Sequence, residues 1–364
     1  MAVRRPIIVV EDDPFLRLIQ VILDPLTPQP RLAAFAHFMA HDEPDFIGWC
    51  ERLRAQLGGL YPAEVRLFDS EEVLWALLPG AQIAVVESAG IGAKAISVAA
   101  GTLKIVQKYG TITAGIDHAA CAAAGIRVLT LRRRANIATA EHGLALMLAL
   151  ARQINQNCNL ISVEQLQAAG FTPTTFDRAH TPNGNWARIQ GLRTLYGQQL
   201  GIIGLGEIGC ELALRAAALG MRIVYTQRHR LAREVEASYQ ATYSALDGLL
   251  ANSDCVSLHL PRGAGTRGFI GRRELAMIKP GALLINVSQP ELVDREALRE
   301  ALASSHLGGY GLDIFYEEPA DAHDPLTQFR NVIITPHLGG SPRTNALNDF
   351  EEMLVGMAQK LNSP

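Results

Sequence analysis

Gly204-Leu205-Gly206-Glu207-Ile208-Gly209 sets three glycines at the spacing G-x-G-x-x-G. The apolar residues 200–203 lead into it and the Ala/Leu-rich residues 210–219 follow, so strand, tight turn and helix start come in the order a dinucleotide site requires. Each glycine has a chemical reason. Gly204 permits the turn, Gly206 lets the main chain approach a pyrophosphate, and Gly209 lets helix pack close on strand. Leu205, Glu207 and Ile208 complete the cofactor-binding turn, whose helix N–H groups favour phosphate charge. A second strand over residues 221–225 closes a βαβ unit of about 30 residues.

That second strand runs out into Thr226-Gln227-Arg228-His229-Arg230. An NAD site would carry an acid here, roughly 20 residues past the glycines, to accept from the ribose 2′-OH. The five residues contain none. Arg228, with Arg230 and with Thr226, Gln227 and His229 beside them, offers forked cations and donors suited to a 2′-phosphate. NADP(H) is therefore expected to bind better than NAD(H).

The elements that position this turn are apolar runs separated by turn residues. Residues 7–10, 65–68, 83–86, 103–106 and 125–129 read as strands, with helical patterns over 15–23, 31–60 and 71–78. After the glycines, strands are expected over 255–260, 281–287, 308–313 and 332–335, and helices over 272–278 and 295–304. Such alternation implies parallel sheets with helices on both faces. Residues 143–154 read as a long apolar helix, fitting a buried core and a subunit interface equally, and residues 155–196 as a polar loop. At 364 residues the chain is long enough for two domains. The acidic turn Glu11-Asp12-Asp13-Pro14 suggests a phosphate-regulated receiver, but no phosphoacceptor strand stands between Gln29 and Tyr61. A capped strand end is the simpler reading.

Composition excludes more than it assigns. A net charge of −3 gives no bulk attraction to nucleic acid or membranes, so neither is expected as a partner. Cys50, Cys121, Cys158, Cys210 and Cys255 stand singly, and although His37 and His41 share a helix-like spacing no acid or cysteine completes a metal set with them, so no metal site is expected. No signal peptide or span reads at the start, and a cytoplasmic location follows as the default.

Open α/β sheets bind ligands at the carboxyl ends of their strands. Those ends carry Leu260-Pro261, Asn286-Val287-Ser288-Gln289-Pro290, Gly311-Leu312-Asp313-Ile314-Phe315 with Glu318-Pro319, and Thr335-Pro336-His337-Leu338-Gly339. In order and spacing these segments, with the glycine turn, resemble the D-isomer-specific 2-hydroxyacid dehydrogenases over about residues 65–344. The resemblance implies an α/β fold of two doubly wound parallel-sheet domains. In it a Rossmann dinucleotide-binding domain, residues 135–340, is inserted into a flavodoxin-like substrate domain, residues 1–134 and 341–364. It also implies a homodimer built on the helix after Glu141, and an NAD(P)-dependent hydride transfer between a nicotinamide and a 2-keto or 2-hydroxy acid or related carbonyl. Hydride transfer to a carbonyl needs a proton donor, and the resemblance gives that role to His337, with Glu318 on its other ring nitrogen. The cofactor set it implies adds Leu260, Pro261, Thr266, Val287, Ser288, Asp313, His337 and Gly339 to the glycine turn. Thr226-x-Arg228 looks like the pattern of NADPH-using relatives.

Two departures bear on the substrate. Where the family carries an arginine that clamps the substrate carboxylate, this chain has Gln289, a neutral donor with about half the strength of a charge-assisted one. Lys108 and residues 132–134 are candidate replacement cations. Gly110 and Thr111 occupy the family's substrate-binding Gly-x-Gly segment, but Ile112 replaces its second glycine. Gln289 thus keeps two other readings open: a catalytically weakened nucleotide-binding protein, and an oxidoreductase on a substrate lacking the usual 2-carboxylate.

Overall fold

A computed structural model describes residues 5–174, 177–261, 263 and 265–362. The chain divides into two compact units, residues 1–138 with 340–364, and residues 139–339.

In the first unit, β1 (Ile7–Glu11), β2 (Glu64–Phe68), β3 (Ile83–Val86), β4 (Ile105–Lys108) and β5 (Arg127–Leu129) form a parallel sheet ordered β2-β1-β3-β4-β5. Side chains alternate across a strand, and β1 uses both faces. Ile8 and Val10 enter one core with helices Arg17–Leu23, Phe46–Gln56 and Thr344–Asn362, while Ile7 and Val9 enter another with Leu74, Ala95 and Cys121. Helix Thr344–Asn362 is held by Leu347, Phe350, Met353, Leu354 and Met357, all at most 3% exposed. Its buried Asp349 accepts the Arg134 backbone N–H and an Arg134 guanidinium N–H at 2.9 Å.

The acids at the end of β1 are used inside the unit. Glu11 accepts the amides of Glu87, Ser88 and Ala89 as well as the Ser88 hydroxyl. Burial alone would raise its carboxyl, and these bonds bring it below the usual value. Asp12 pairs with Arg17, and Asp13 accepts the amides of Phe15 and Leu16. The end of β1 is therefore a capped strand end.

The second unit's strands are β6 (Gln199–Ile203), β7 (Arg222–Thr226), β8 (Ala241–Tyr243), β9 (Cys255–Leu258), β10 (Leu283–Asn286), β11 (Gly309–Leu312) and β12 (Val332–Ile334). All pair in parallel, in the order β12-β11-β10-β9-β6-β7-β8. The chain runs outward from β6 in one direction and returns through β9 in the other, so a crevice opens beyond the carboxyl ends of β6 and β9. Leu200 and Ile202 of β6 pack on one face and Ile203 on the other.

Several boundaries differ from those the sequence suggests. β8 is not among the strands read from the sequence, because Ala241-Thr242-Tyr243 lacks the continuous apolar run that marks the others. β4 begins two residues later than the apolar run, which starts at Leu103. The long helix is Arg134–Ala151, nine residues earlier than expected, and its Leu146, Met147, Leu150 and Ala151 are buried in the core of the second unit. Residues 155–196 are not all loop: Ile154–Asn157 and Val163–Ala168 are short helices, the latter begun by a Ser162–Gln165 capping box. Among the described residues no helix is long and apolar enough to cross a membrane, and no group of three His, Cys, Asp or Glu could hold a metal.

Phe350→Ala should open a cavity in the first unit's core and destabilise it by about 3–5 kcal/mol. Denaturant unfolding, followed by circular dichroism, measures the loss. A change below about 1 kcal/mol would mean that the last helix does not hold this core.

Candidate active site

Packing forces two of the three glycines in the turn. Gly204 has φ +94°, and a Cβ there would lie 2.7 Å from the His259 carbonyl oxygen. At Gly209 a Cβ would lie 2.5 Å from the Gly204 carbonyl oxygen, so only hydrogen lets the helix Glu207–Ala218 approach β6. Gly206 is different. A Cβ there would meet nothing within 4 Å, so the residue at the N-cap of this helix borders open space. Leu205 is buried, while Glu207 and Ile208 are half-buried in the first helical turn.

The end of β7 is stitched to this turn. Gly204 N–H donates to the Thr226 carbonyl at 2.9 Å, and Leu205 N–H donates to Gln227 Oε1 at 3.1 Å. Beyond them Arg230 forms two hydrogen bonds to Glu236, at 2.8 and 2.9 Å, and Glu236 also accepts from the Tyr225 hydroxyl at 2.8 Å. The Arg230 bonds, with that hydroxyl, hold the Glu236 carboxyl down at about 2. Three residues expected to face a cofactor are therefore committed elsewhere. Thr226 is buried, Gln227 spends its amide on the chain, and Arg230 is taken by an acid ten residues beyond Thr226. Arg228 is exposed, and its side chain has no hydrogen bond or ion pair among the described residues.

At the ends of β11 and β12 the central group is a buried carboxylate. Asp313 Oδ1 accepts from the Thr335 hydroxyl at 2.7 Å and from Leu338 N–H at 2.8 Å, and Oδ2 accepts from Gly339 N–H at 2.8 Å. His142 Nε2 lies 3.3 Å from Oδ1 and 2.8 Å from the Thr335 oxygen. The single Thr335 proton is spent on Asp313, so His142 Nε2 carries the hydrogen between them. Burial alone would raise the Asp313 carboxyl, but the bonds from His142, Thr335, Leu338 and Gly339 outweigh it and hold it at about 2. Gly339 has to be glycine, because a Cβ would lie 2.7 Å from Asp313 Oδ2.

This bolt sets His337. Its N–H donates to the Asp313 carbonyl at 2.9 Å and to the Thr335 carbonyl at 3.0 Å, with φ +57°, a conformation uncommon for residues other than glycine. The ring is then exposed, with Nδ1 2.9 Å from Glu318 Oε2. Glu318 Oε1 accepts from Phe315 N–H at 3.3 Å, which fixes the carboxylate. With Nδ1 engaged, Nε2 is the nitrogen left to exchange a proton with a bound molecule.

The third segment is the turn after β10. Asn286, fully buried, accepts Ser288 N–H at 3.1 Å and donates to the Gln289 carbonyl at 2.8 Å, fixing the backbone that carries Gln289. Gln289 is half-buried. Ser288, expected as a cofactor contact, turns its hydroxyl to the Leu258 carbonyl at 2.8 Å and joins the ends of β10 and β9. Val287 is buried against the position of Gly143. Leu260 and Pro261 follow β9, where the Thr266 hydroxyl closes the loop on the carbonyls of Pro261 and Gly263. Gly110 and Thr111 belong to the first unit, after β4, and Gly110 adopts φ +149°.

The sequence assigns no role to His142, and it marks Asn286 only as part of the strand end Asn286-Val287-Ser288. A histidine on an apolar helix and an asparagine ending an apolar strand each signal a buried polar group, but not its partner.

Asp313→Asn should place an amide N–H against a backbone N–H, costing about 2–4 kcal/mol of stability. The pH dependence has a definite sign. A carboxyl held at about 2 in the folded chain stabilises it above the unfolded value near 4, and the stabilisation fades as pH falls toward about 2. The gap between wild type and Asp313→Asn in denaturant unfolding should therefore narrow between pH 4 and pH 2. A gap that is constant over this range would rule out a charged Asp313.

Residues 144–339 match the family model of the D-isomer specific 2-hydroxyacid dehydrogenase NAD binding domain. A D-3-phosphoglycerate dehydrogenase of Mycobacterium bovis is 35% identical over 282 residues, covering 76% of this chain and 49% of the relative, so the chain spans about half that protein's length. A glyoxylate reductase of Aeropyrum pernix is 35% identical over 269 residues, covering 71% of this chain and 74% of the relative. The solved structure of the TT0316 protein from Thermus thermophilus superposes with a TM-score of 0.52 at 32% identity, over 87% of this chain and 95% of that one. The chain belongs to the D-isomer-specific 2-hydroxyacid dehydrogenase family.

Proposed function

We propose that the chain is an NADP(H)-dependent oxidoreductase that moves hydride between the nicotinamide and a 2-keto or 2-hydroxy acid or related carbonyl. The observation that carries the reading is the His337–Glu318 pair, set by the Asp313 bolt at the end of the sheet whose glycine turn has open space at Gly206. The glyoxylate reductase relative supports the substrate class. The turn residues 204–209 fit a dinucleotide: the helix N-terminus favours phosphate charge, and the one glycine that packing does not force is the one a pyrophosphate would approach. The bound nicotinamide supplies or receives hydride.

In reduction, protonated His337 donates from Nε2 to the carbonyl oxygen as hydride arrives at carbon; in oxidation, neutral His337 takes the hydroxyl proton. Glu318, on Nδ1, orients the ring and balances the imidazolium charge. Gln289 donates an uncharged hydrogen bond to the substrate. Gly110 and Thr111 are the substrate-side residues of the first unit. Arg228 holds the 2′-phosphate, while Thr226 and Arg230 build the loop that carries it. The homodimer implied by the family resemblance belongs to the same proposal, and analytical ultracentrifugation reads it directly.

Arg228→Ala should weaken NADPH binding by about 10-fold or more and leave NADH binding nearly unchanged, and the wild-type preference should shrink as salt rises. Fluorescence titration measures both. Equal wild-type affinities with no effect of Arg228→Ala would remove the cofactor assignment, whereas His337→Ala should cut turnover by about 10²–10⁴-fold at unchanged cofactor affinity.

Gln289 favours a second reading, a carbonyl substrate lacking the 2-carboxylate. If the site only lacks its cation, Gln289→Arg should raise kcat/KM on glyoxylate and pyruvate by about 10-fold or more. Unchanged kcat/KM across 2-keto acids, with turnover of simple aldehydes or ketones, would establish the second reading.

A further inference from the structure

Gln227 stands at the position where an NAD site would offer an acid to the ribose, yet its side chain turns away from that role. A primary amide has one acceptor oxygen and one donor nitrogen. Oε1 accepts Leu205 N–H at 3.1 Å, inside the glycine turn, and Nε2 donates to the His229 carbonyl at 2.7 Å, just past Arg228. Both ends of the amide are thus occupied by backbone. One bond reaches 22 residues back to the turn, and the other grips the short loop that holds Arg228.

The same loop is fixed from its far side. Arg230 is clamped by Glu236, Glu236 by the Tyr225 hydroxyl, and that hydroxyl accepts Leu231 N–H at 2.9 Å. Between the two anchors, Arg228 and His229 are exposed. A flexible arginine on a flexible loop loses much freedom when it binds a phosphate, and a loop already fixed lowers that cost. Residue type matters as well. A glutamate at 227 would still accept Leu205 N–H, but it would repel the His229 carbonyl and set a negative charge beside Arg228.

We infer that Gln227 is a positioning residue for cofactor choice: its amide ties the Arg228 loop to the glycine turn, neutral, so that Arg228 meets a 2′-phosphate preorganised and with its charge uncompensated. The inference rests on the NADP(H) reading above and goes one residue beyond it.

Calorimetric titration of NADPH, NADH, 2′,5′-ADP and 5′-ADP into wild type, Gln227→Met, Gln227→Glu and Arg228→Ala tests it. Gln227→Met, similar in length but without the amide, should weaken NADPH and 2′,5′-ADP by about 5–10-fold while NADH and 5′-ADP change less than about twofold. Gln227→Glu, which keeps the Leu205 bond and guards against a variant that fails to fold, should weaken the 2′-phosphorylated ligands further. A ratio of NADPH to NADH affinity equal to wild type in Gln227→Met, through no change or through equal losses, overturns the inference, provided Arg228→Ala lowers that ratio. If wild type shows no preference and Arg228→Ala changes nothing, the cofactor reading itself has failed, and this role for Gln227 falls with it.

Discussion

A carboxylate taken out of water must be given donors, and Asp313 gathers its donors from three separate parts of the second unit. The Thr335 hydroxyl comes from the end of β12, the amides of Leu338 and Gly339 from the loop beyond it, and His142 from the long helix. Because those groups converge on one side chain, the segment 335–339 has little choice of path. His337 falls between the Thr335 hydroxyl and the Leu338 amide and is pressed into the left-handed region with its ring outward. The fit is tight enough to exclude a methyl group at Gly339. An exposed histidine is thus oriented by a buried acid that it does not touch through its own ring.

The same economy holds at the other side of the crevice. Gly204 and Gly209 are dictated by the close approach of β6, its helix and the chain after β9, so part of the glycine signature is a packing requirement. Gly206 stands apart. Nothing in the fold demands it, and the space it leaves lies at a helix N-terminus. Hydrogen bonds from Gly204 and Leu205 to the end of β7 then fix the turn and the arginine-bearing loop as one piece.

The turn after β10 is braced by its own polar side chains. Asn286 braces residues 286–289 from inside, and Ser288 joins two strand ends. Gln289 therefore sits on a rigid support without a charge to deliver.

Much of this was legible in the sequence. Short continuous apolar runs gave the parallel strands, because a strand buried on both faces must be apolar whichever way its side chains point. The glycine spacing gave the turn, because only glycine takes φ +94° beneath a carbonyl oxygen. His337 and Glu318 stood out by their place at strand ends, and the pair is together in the fold. The tertiary structure decided which polar side chains remain available to a ligand. Thr226, Gln227, Arg230 and Ser288 all read as ligand-facing by type and position, yet each is buried or claimed by a partner elsewhere in the second unit. His142 became a partner of Asp313 across more than 170 residues. Local spacing determines what the backbone can do, whereas a polar side chain bonds to whatever group folding brings within 3 Å, and no local pattern contains that group.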